Sequence, residues 1–289
     1  MASVCSERMT HISSANFAVW GSSFGSWGTN DGDGNAAGFS RNSQGFFFGA
    51  DALFANEFRA GLLAGYSHSG FDAAARASSG SSEDFHLGLY GGGQWGPLGL
   101  RTGLVYSLHQ IETSRSVAFP GFADTLKGDY DAGTLQAFAE AGYRVDLSPG
   151  VAFEPFVGLA LVDLHSDAFT EKGGAAALTS ASSDSQTAFT TLGLHGSFAF
   201  DLNGVPVSAR STLGWRHAFG DVSSLASLAF AGGDSFTVAG VPIARDAAVI
   251  NAGLDVSLSR DVKLSLSYDG QLAAHARDNG FKSDLSWKF

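Results

Sequence analysis

The chain has 289 residues and a formal net charge of −11, and this acidic balance without a basic patch excludes nucleic acid as a partner. Its 38 glycines, 24 phenylalanines and single cysteine are unlike a helical enzyme and favour one large all-β domain. Charged residues make up only 16% of the chain and the mean hydropathy is +0.07, so part of the surface is expected to face something other than water. Because no apolar run approaches roughly 18 residues, a membrane would have to be crossed by the strands of a closed barrel.

The first fifteen residues show no strand pattern. Met1 to Ser14 lacks the basic start and the apolar run of a signal peptide, so we expect the chain to be a fragment of a longer protein. Residues 1–15 would then be a residual linker or a cloning-derived segment. Cys5 lies in this stretch, and one cysteine cannot build a disulfide framework, a zinc site or a reactive cysteine centre within one chain.

From residue 16 to residue 289, apolar and polar residues alternate with the period of two that is typical of β-strands. About twelve such segments predict an all-β fold, a single transmembrane antiparallel β-barrel with an up-and-down meander. The predicted strands cover residues 16 to 29, 39 to 54, 58 to 72, 82 to 96, 98 to 115, 128 to 146, 151 to 168, 185 to 202, 205 to 219, 248 to 258, 262 to 269 and 280 to 289.

The predicted connections alternate between short turns and long loops. This asymmetry is typical of outer-membrane barrels, in which the long loops are extracellular and the short turns periplasmic. A soluble β-sandwich also alternates, but strands of about fifteen residues with a nearly charge-free oily face favour the membrane barrel. Short turns are predicted at 55–56, 96–97, 147–150, 203–204, 260–261 and 277–279, and long loops near 30–38, 73–81, 116–127, 169–184 and 220–243.

The polar face of the strands predicts a lumen lined with both signs of charge. Residue parity places Glu140 and Glu154 on this face of neighbouring strands, together with Arg101, Arg144 and Arg216. These five residues are the candidates for contact with a polypeptide that passes through the pore. In the alternative interpretation they belong to a solvated, ion-paired interior that only holds the shape of the barrel.

Glycine and aromatic residues give two further expectations. Inward glycines such as Gly49, Gly65 and Gly142 either leave a wide bore or relieve strain in a curved sheet. Aromatic residues near strand ends, such as Trp20 and Trp27, are expected at the level of the lipid headgroups.

The last predicted strand places Phe281, Leu285, Trp287 and Phe289 on one face and ends the chain on an aromatic side chain. An edge strand with this pattern can be paired by an insertion machinery before the barrel shuts. These four residues are therefore predicted to form the assembly signal.

The sequence predicts no enzymatic activity, no metal and no cofactor. Seven histidines are scattered one to a strand without ligand spacing, at positions 68, 86, 109, 165, 195, 217 and 275. A nucleophile elbow, a P-loop and a dinucleotide-binding fingerprint are also missing from the sequence.

Several short motifs carry a resemblance to a known family. They are Val19-Trp20-Gly21, Phe24 to Gly28, Gly45 to Leu53, Gly61 to Tyr66, Leu87 to Tyr90, Glu154 to Gly158, Gly214 to His217 and Phe219 to Asp221. Taken together they resemble the autotransporter β-domain, the C-terminal translocator domain of type V secretion proteins.

The resemblance implies a twelve-stranded outer-membrane barrel that carries an N-terminal passenger to the cell surface. It also implies outer-membrane lipid, the barrel-assembly machinery and periplasmic chaperones as partners. In the family a linker helix threads the pore and acidic lumen residues of some branches assist passenger release, a role that falls here on Glu154, with Glu140 as its partner. Residues 1–15 contain no recognisable linker helix, and Asn16 lacks the Asn-Asn context of the self-cleaving branch.

The leading hypothesis is therefore a translocator for a passenger joined ahead of residue 16. The first alternative is a plain outer-membrane pore or structural barrel without a passenger. The second alternative is a soluble β-rich adhesin.

Overall fold

The structure is a computed structural model that describes residues 16–54 and 57–289. Seventeen strands account for most of these residues. Twelve of these strands are long and form a barrel, and the five short ones, β7, β9, β10, β13 and β14, lie at its two ends. In chain order the strands are β1 Phe17–Asn30, β2 Phe39–Phe54, β3 Phe58–Ala73, β4 Ser78–Trp95, β5 Leu98–Phe119, β6 Phe122–Tyr143, β7 Val145–Ser148, β8 Val151–Ser166, β9 Phe169–Thr170, β10 Leu178–Ser180, β11 Ser183–Leu202, β12 Val205–Gly220, β13 Leu225–Phe230, β14 Phe236–Ala239, β15 Asp246–Ser257, β16 Val262–Ala273 and β17 Ala276–Lys288.

Each long strand pairs antiparallel with the next long strand in the chain, which confirms the predicted up-and-down meander. The barrel closes where β1 pairs with β17, from Ala18 opposite Lys288 to Asn30 opposite Ala276. Closure gives all twelve strands a hydrogen-bonded neighbour on both sides. A sheet that lies in hydrocarbon needs this arrangement, because lipid cannot hydrogen-bond the backbone of a free edge.

The outward-facing side chains form an apolar band around the barrel. Along β8, Val157, Leu159 and Leu161 are exposed on the outer face, and the next outward residues are Asp163 and His165. The apolar part of this strand is about ten residues long, which at the usual tilt spans about 25 Å, the height of the band on outer-membrane barrels. The oily side chains are therefore on the outside rather than in a dry core, which contradicts the soluble alternative.

Most predicted strand bounds agree with the structure to within a few residues, but several predicted connections are wrong. The loops predicted near 169–184 and 220–243 contain the four short strands β9, β10, β13 and β14. Residues 116–127 are not a loop, because β5 and β6 continue to a tight turn at Pro120-Gly121. Residues 277–279 lie inside β17, because Asp278 pairs with Arg41 and Asn279 accepts a hydrogen bond from Tyr268. Residues 274–275 join β16 to β17 instead.

The short turn at Asn203-Gly204 is confirmed, and both residues have the positive φ angles (54° and 85°) of a type I′ hairpin turn. The turn predicted at 55–56 lies outside the described residues, as do residues 1–15 with Cys5. Helix in the described part of the chain is limited to one 3₁₀ turn, Ala74–Arg76. No helix there is long and apolar enough to span a membrane.

A small sheet raises one side of the barrel wall beyond the apolar band. Strands β9, β10, β13 and β14 pair in this order and extend β8, β11, β12 and β15, respectively. Lys127 of β6 exchanges two backbone hydrogen bonds of 2.8 Å with Lys172, which joins the small sheet to the long β5–β6 hairpin. We call residues 112–131, 167–182 and 221–245 the collar.

The polarity of the collar is the reverse of that of the apolar band. Phe169 stacks on the inward ring of Tyr130, with 4.3 Å between the ring centroids, and this contact identifies the inner face of the small sheet. By strand register the inner face then carries Phe169, Leu178, Leu228, Phe230 and Phe236 together with Ser180, whereas the outer face carries Thr170, Thr179, Ser227 and Thr237 together with Leu225. A polar outer face is expected of a wall that stands in water rather than in lipid.

Candidate functional site in the lumen

The lumen wall nearest the short turns is lined by paired charges. Arg59 of β3 forms an ion pair with Asp51 of β2, and both side chains are buried. On the opposite side of the barrel, Arg210 lies 3.0 Å from Asp255, whose other oxygen is 2.6 Å from Lys263. The predicted lumen with both signs of charge is thus present, and its charges neutralise one another across neighbouring strands.

Arg101 is the centre of the largest charge cluster. Its Nη1 atom donates a 2.8 Å hydrogen bond to Oε1 of Glu140 and lies 2.7 Å from Oε1 of Glu154. Arg101 is only 1% exposed, and its Nε and Nη2 atoms have no hydrogen-bond partner among the described residues. His195 completes the cluster, with Nε2 3.3 Å from the Glu140 carboxylate and its ring stacked on Phe156.

Strand register explains why these side chains meet. Arg101 lies opposite Glu140 in the β5–β6 ladder, and Glu154 lies opposite His195 in the β8–β11 ladder. Gly142 lies under the Glu154 carboxylate, and a Cβ atom there would overlap it. The glycine therefore provides the space for the acidic side chain, rather than for an open bore.

The other two predicted site residues lie elsewhere. Arg144 lies between β6 and β7 at the short-turn end, where its Nε donates a 3.0 Å hydrogen bond to Asp146 and its backbone N–H donates one to the Pro97 carbonyl. Arg216 is inward-facing on β12, where its guanidinium bonds to Gln271 of β16. The structure thus brings Arg101, Glu140 and Glu154 together, and it separates Arg144 and Arg216 from them.

Trp20 is a lumen residue, so its predicted place at the headgroup level is wrong. It is 4% exposed, and its Nε1 donates a 2.7 Å hydrogen bond to the Tyr90 hydroxyl. The Tyr90 hydroxyl in turn donates a 2.6 Å bond to Asp51. Even-numbered residues of β1 all face inward, and this parity could have identified Trp20 from the sequence.

Inward glycines make room for large rings in this part of the lumen. A Cβ atom at Gly49 would overlap the Trp20 ring, and one at Gly65 would overlap the Phe47 ring. Trp20 and Phe47 form one buried cluster with Leu63 and Tyr90. The wide bore expected from the glycines is therefore partly filled by aromatic side chains of the wall.

A network of histidine and hydroxyl groups lines the lumen nearer the collar. His109 is hydrogen-bonded to Asp84 (2.7 Å) and Thr134 (2.8 Å), and His86 is hydrogen-bonded to Ser67 (2.9 Å) and Ser107 (2.8 Å). Although the order Asp84–His109–Thr134 has the outline of a catalytic triad, the surrounding backbone N–H groups are used in the sheet ladders rather than as oxyanion donors. Among the described residues, no group of three ligating side chains could hold a metal ion.

The predicted assembly signal lies on the lipid-facing side of the closing strand. Phe281, Leu285 and Trp287 are exposed on the outer face of β17, and Phe289, which follows this strand, is also exposed. Phe289 packs on Trp287, and its backbone N–H donates a 2.9 Å hydrogen bond to Phe17 at the start of β1. The end of the chain therefore completes the seam between the first and the last strand.

Comparison with known proteins agrees with this geometry. The family model described as the autotransporter β-domain matches residues 19–269. Two curated proteins of Serratia marcescens, both named extracellular serine protease, are 36% identical over 88% of this chain. The chain spans about a quarter (24%) of the length of these relatives.

Solved translocator structures share the fold. The translocator domain of the autotransporter NalP from Neisseria meningitidis has a TM-score of 0.82 at 17% identity, covering 100% of this chain and 93% of that domain. The β-domain of the Bordetella autotransporter BrkA has a TM-score of 0.70 at 18% identity, covering 95% of this chain and 100% of that domain. The transport unit of AIDA-I from Escherichia coli has a TM-score of 0.64 at 15% identity, covering 100% and 96%.

At these identities the structural likeness supports the fold, and the family match carries the assignment. A barrel of this family resides in the outer membrane, in agreement with the apolar band. The chain belongs to the autotransporter β-domain family.

Proposed function

We propose that this barrel anchors in the outer membrane and provides, alone or with the barrel-assembly machinery, the path by which a passenger joined ahead of residue 16 reaches the cell surface. The observation that carries the proposal is the family match over residues 19–269 on a closed barrel with a polar lumen. A passenger also fits the length of the Serratia relatives, of which this chain covers only about a quarter (24%). The protease activity in their names is not assigned to the barrel.

The proposed orientation places the collar outside the cell and the short turns in the periplasm. The Thr and Ser residues on the outer face of the collar support this orientation, since they suit a wall that stands in water beyond the outer leaflet. Residue 16 then lies on the periplasmic side, next to the end of β17. A passenger attached there has to cross the membrane to reach the surface.

The Arg101 cluster is proposed to maintain the shape of the lumen rather than to grip the passenger. Arg101, Glu140 and Glu154 are almost wholly buried and are directed at one another. Buried carboxylates that are already paired with a guanidinium have little capacity left for a passing chain. Release of the passenger through Glu154, which the family resemblance implies, would require this cluster to open.

The proposed partners act on different surfaces. Outer-membrane lipid would cover the apolar band, and the barrel-assembly machinery would pair with β17 before the seam forms. Periplasmic chaperones would hold the unfolded barrel before insertion, because its outward residues are apolar along every strand.

The test is surface display of a reporter. A signal peptide and an epitope-tagged polypeptide are fused ahead of residue 16, and intact cells are treated with an external protease. We expect the tag to be cleaved, while heat-modifiable migration on detergent gels shows that the barrel is folded. A folded barrel whose tag stays protected in intact cells, and is cleaved only after the outer membrane is permeabilised, would support the plain pore instead.

A further inference from the structure

The arginines that face the lumen have different partners, and Arg216 differs from those deep in the wall. Arg59, Arg101 and Arg210 each form an ion pair with a carboxylate. Arg216 forms none within the part of the chain that the structure describes, and its polar contacts are neutral. A positive charge is thus left without a counter-charge in the upper half of the lumen, towards the collar.

The guanidinium of Arg216 is held in place by three other strand residues. Its Nη1 atom donates a 2.9 Å hydrogen bond to Oε1 of Gln271, and its Nε atom lies 3.4 Å from the Thr191 hydroxyl. The ring of Phe189 lies 6.0 Å from the guanidinium carbon. These contacts come from both sides of β12, so the group is oriented without being neutralised.

Strand register shows why the side chain can reach Gln271. Arg216 lies opposite Ala247 of β15, and Gln271 lies opposite Val249 of the same strand. Ala247 is small and buried, so the arginine extends across β15 to β16. The hydrogen bonds to Thr191 and Gln271 use Nε and Nη1 only, which leaves the Nη2 donors for another acceptor.

We propose that Arg216 is an anion-binding site of the lumen, which takes a carboxylate or a small inorganic anion on its Nη2 side. A guanidinium that is partly removed from water and lacks a counter-charge favours an anionic partner, and its planar donors match the two oxygens of a carboxylate. The anion has two possible sources. One is an acidic side chain of a polypeptide in the lumen, which rests on the proposed function, and the other is a free anion from the medium.

The experiment measures chloride binding to the folded barrel in zwitterionic detergent by the ³⁵Cl NMR line width. We expect wild-type protein to broaden the line and Arg216→Gln to lose at least half of this excess width. Arg216→Lys, which keeps the charge, should retain most of it, and Arg260→Gln, in an exposed turn between β15 and β16, should match the wild type. Heat-modifiable migration confirms that each variant is folded. Equal broadening by folded wild type and Arg216→Gln would overturn the proposal.

Competition distinguishes the two sources. A short peptide with one aspartate is compared with the same peptide carrying asparagine, and with acetate. If acetate and the aspartate peptide both remove the Arg216-dependent line width, and the asparagine peptide does not, the site binds acidic side chains as well as free anions. Loss with acetate alone assigns it to free anions. Neither result depends on passenger display. Failure of the anion-binding proposal can therefore be told apart from failure of the translocator proposal.

Discussion

Gly142 lies directly under the Glu154 carboxylate, so closely that a Cβ atom at Gly142 would overlap Oε1 of Glu154. The same carboxylate is 2.7 Å from Arg101, whose guanidinium is also bonded to Glu140. One missing side chain on β6 therefore permits a three-residue ion cluster that joins β5, β6 and β8. The cluster gives the barrel a fixed contact among neighbouring strands on the lumen side.

Replacing Gly142 with Ala should destabilise the barrel. The new methyl group pushes Glu154 away from Arg101, and overpacking of this kind costs about 1–3 kcal/mol of the free energy of unfolding. Urea unfolding in lipid vesicles, followed by tryptophan fluorescence, measures the effect. Gly25→Ala is the matched control, because a Cβ atom at Gly25 meets nothing within 4 Å. Equal unfolding midpoints for the two variants would contradict the proposed packing.

Removing the charge of Arg101 alone should lower the free energy of unfolding more than removing all three charges of its cluster. Arg101→Met leaves Glu154 buried without a cationic partner and Glu140 with only His195 beside it, and breaking a buried pair in this way costs about 3–5 kcal/mol. The triple variant Arg101→Met, Glu140→Gln, Glu154→Gln should recover part of this loss, since no uncompensated charge remains. The same urea titration compares both proteins. A triple variant less stable than Arg101→Met alone would show that the carboxylates stabilise the barrel by other contacts.

The hydrogen bond from Trp20 to Tyr90 gives a prediction for the first strand. Trp20→Phe keeps a ring over Gly49 but removes the Nε1 donor, and a buried hydrogen bond contributes about 1 kcal/mol to stability. Trp27→Phe, on the outer face of the same strand, should change the unfolding midpoint much less. If the Trp27 variant proves the more destabilised, the hydrogen-bonded chain from Trp20 to Asp51 does not support the closed barrel.

The two faces of β17 should respond differently to a charge. Trp287 is exposed on the lipid side, and its replacement by Asp places a carboxylate in hydrocarbon and in the predicted assembly signal. Ser286→Asp places the same group on the lumen side, where water is available. We expect the amount of folded barrel in the outer membrane to fall several-fold for Trp287→Asp only. Heat-modifiable migration of the barrel in membrane fractions measures this amount. Similar losses in both variants would argue against a lipid-facing Trp287.

The loop between β8 and β11 offers a test of the collar. Arg115 forms two hydrogen bonds to the Glu171 carboxylate and a third to the Ala176 carbonyl, at 2.6 to 2.7 Å. Arg115→Ala should free this loop, so we expect faster cleavage within residues 171–178 by an external protease on intact cells. Arg76→Ala, in the 3₁₀ turn before β4, is the control. Unchanged cleavage in the Arg115 variant would mean that the other collar contacts suffice.

The sequence predicts the faces of the strands better than their neighbours. Alternation with a period of two assigns Glu140 and Glu154 to the lumen, and the structure confirms this placement. Alternation does not set the register between strands, because sliding one strand by two residues leaves every face unchanged. For this reason the sequence could not separate Arg101, which pairs with Glu154, from Arg144, which pairs with Asp146.

Local polarity was misleading at two places. The polar run at residues 277–279 resembles a turn, but cross-strand partners such as Tyr268 hold it in β17. The sequence predicts loops in the collar because its short strands reverse the polarity of the membrane band, which breaks the pattern that identifies the long strands. These contacts link residues far apart in the chain and leave no local signal.

Quenching of a fluorophore on two adjacent residues of β8 tests whether the two faces of the barrel wall meet different solvents. Leu159→Cys and Ala160→Cys are each labelled in a Cys5→Ser background and reconstituted into lipid vesicles. We expect nitroxide-bearing lipids to quench the label at residue 159 and iodide to quench the label at residue 160. Quenching of both labels by the same agent to the same extent would contradict a barrel with hydrocarbon outside and water within.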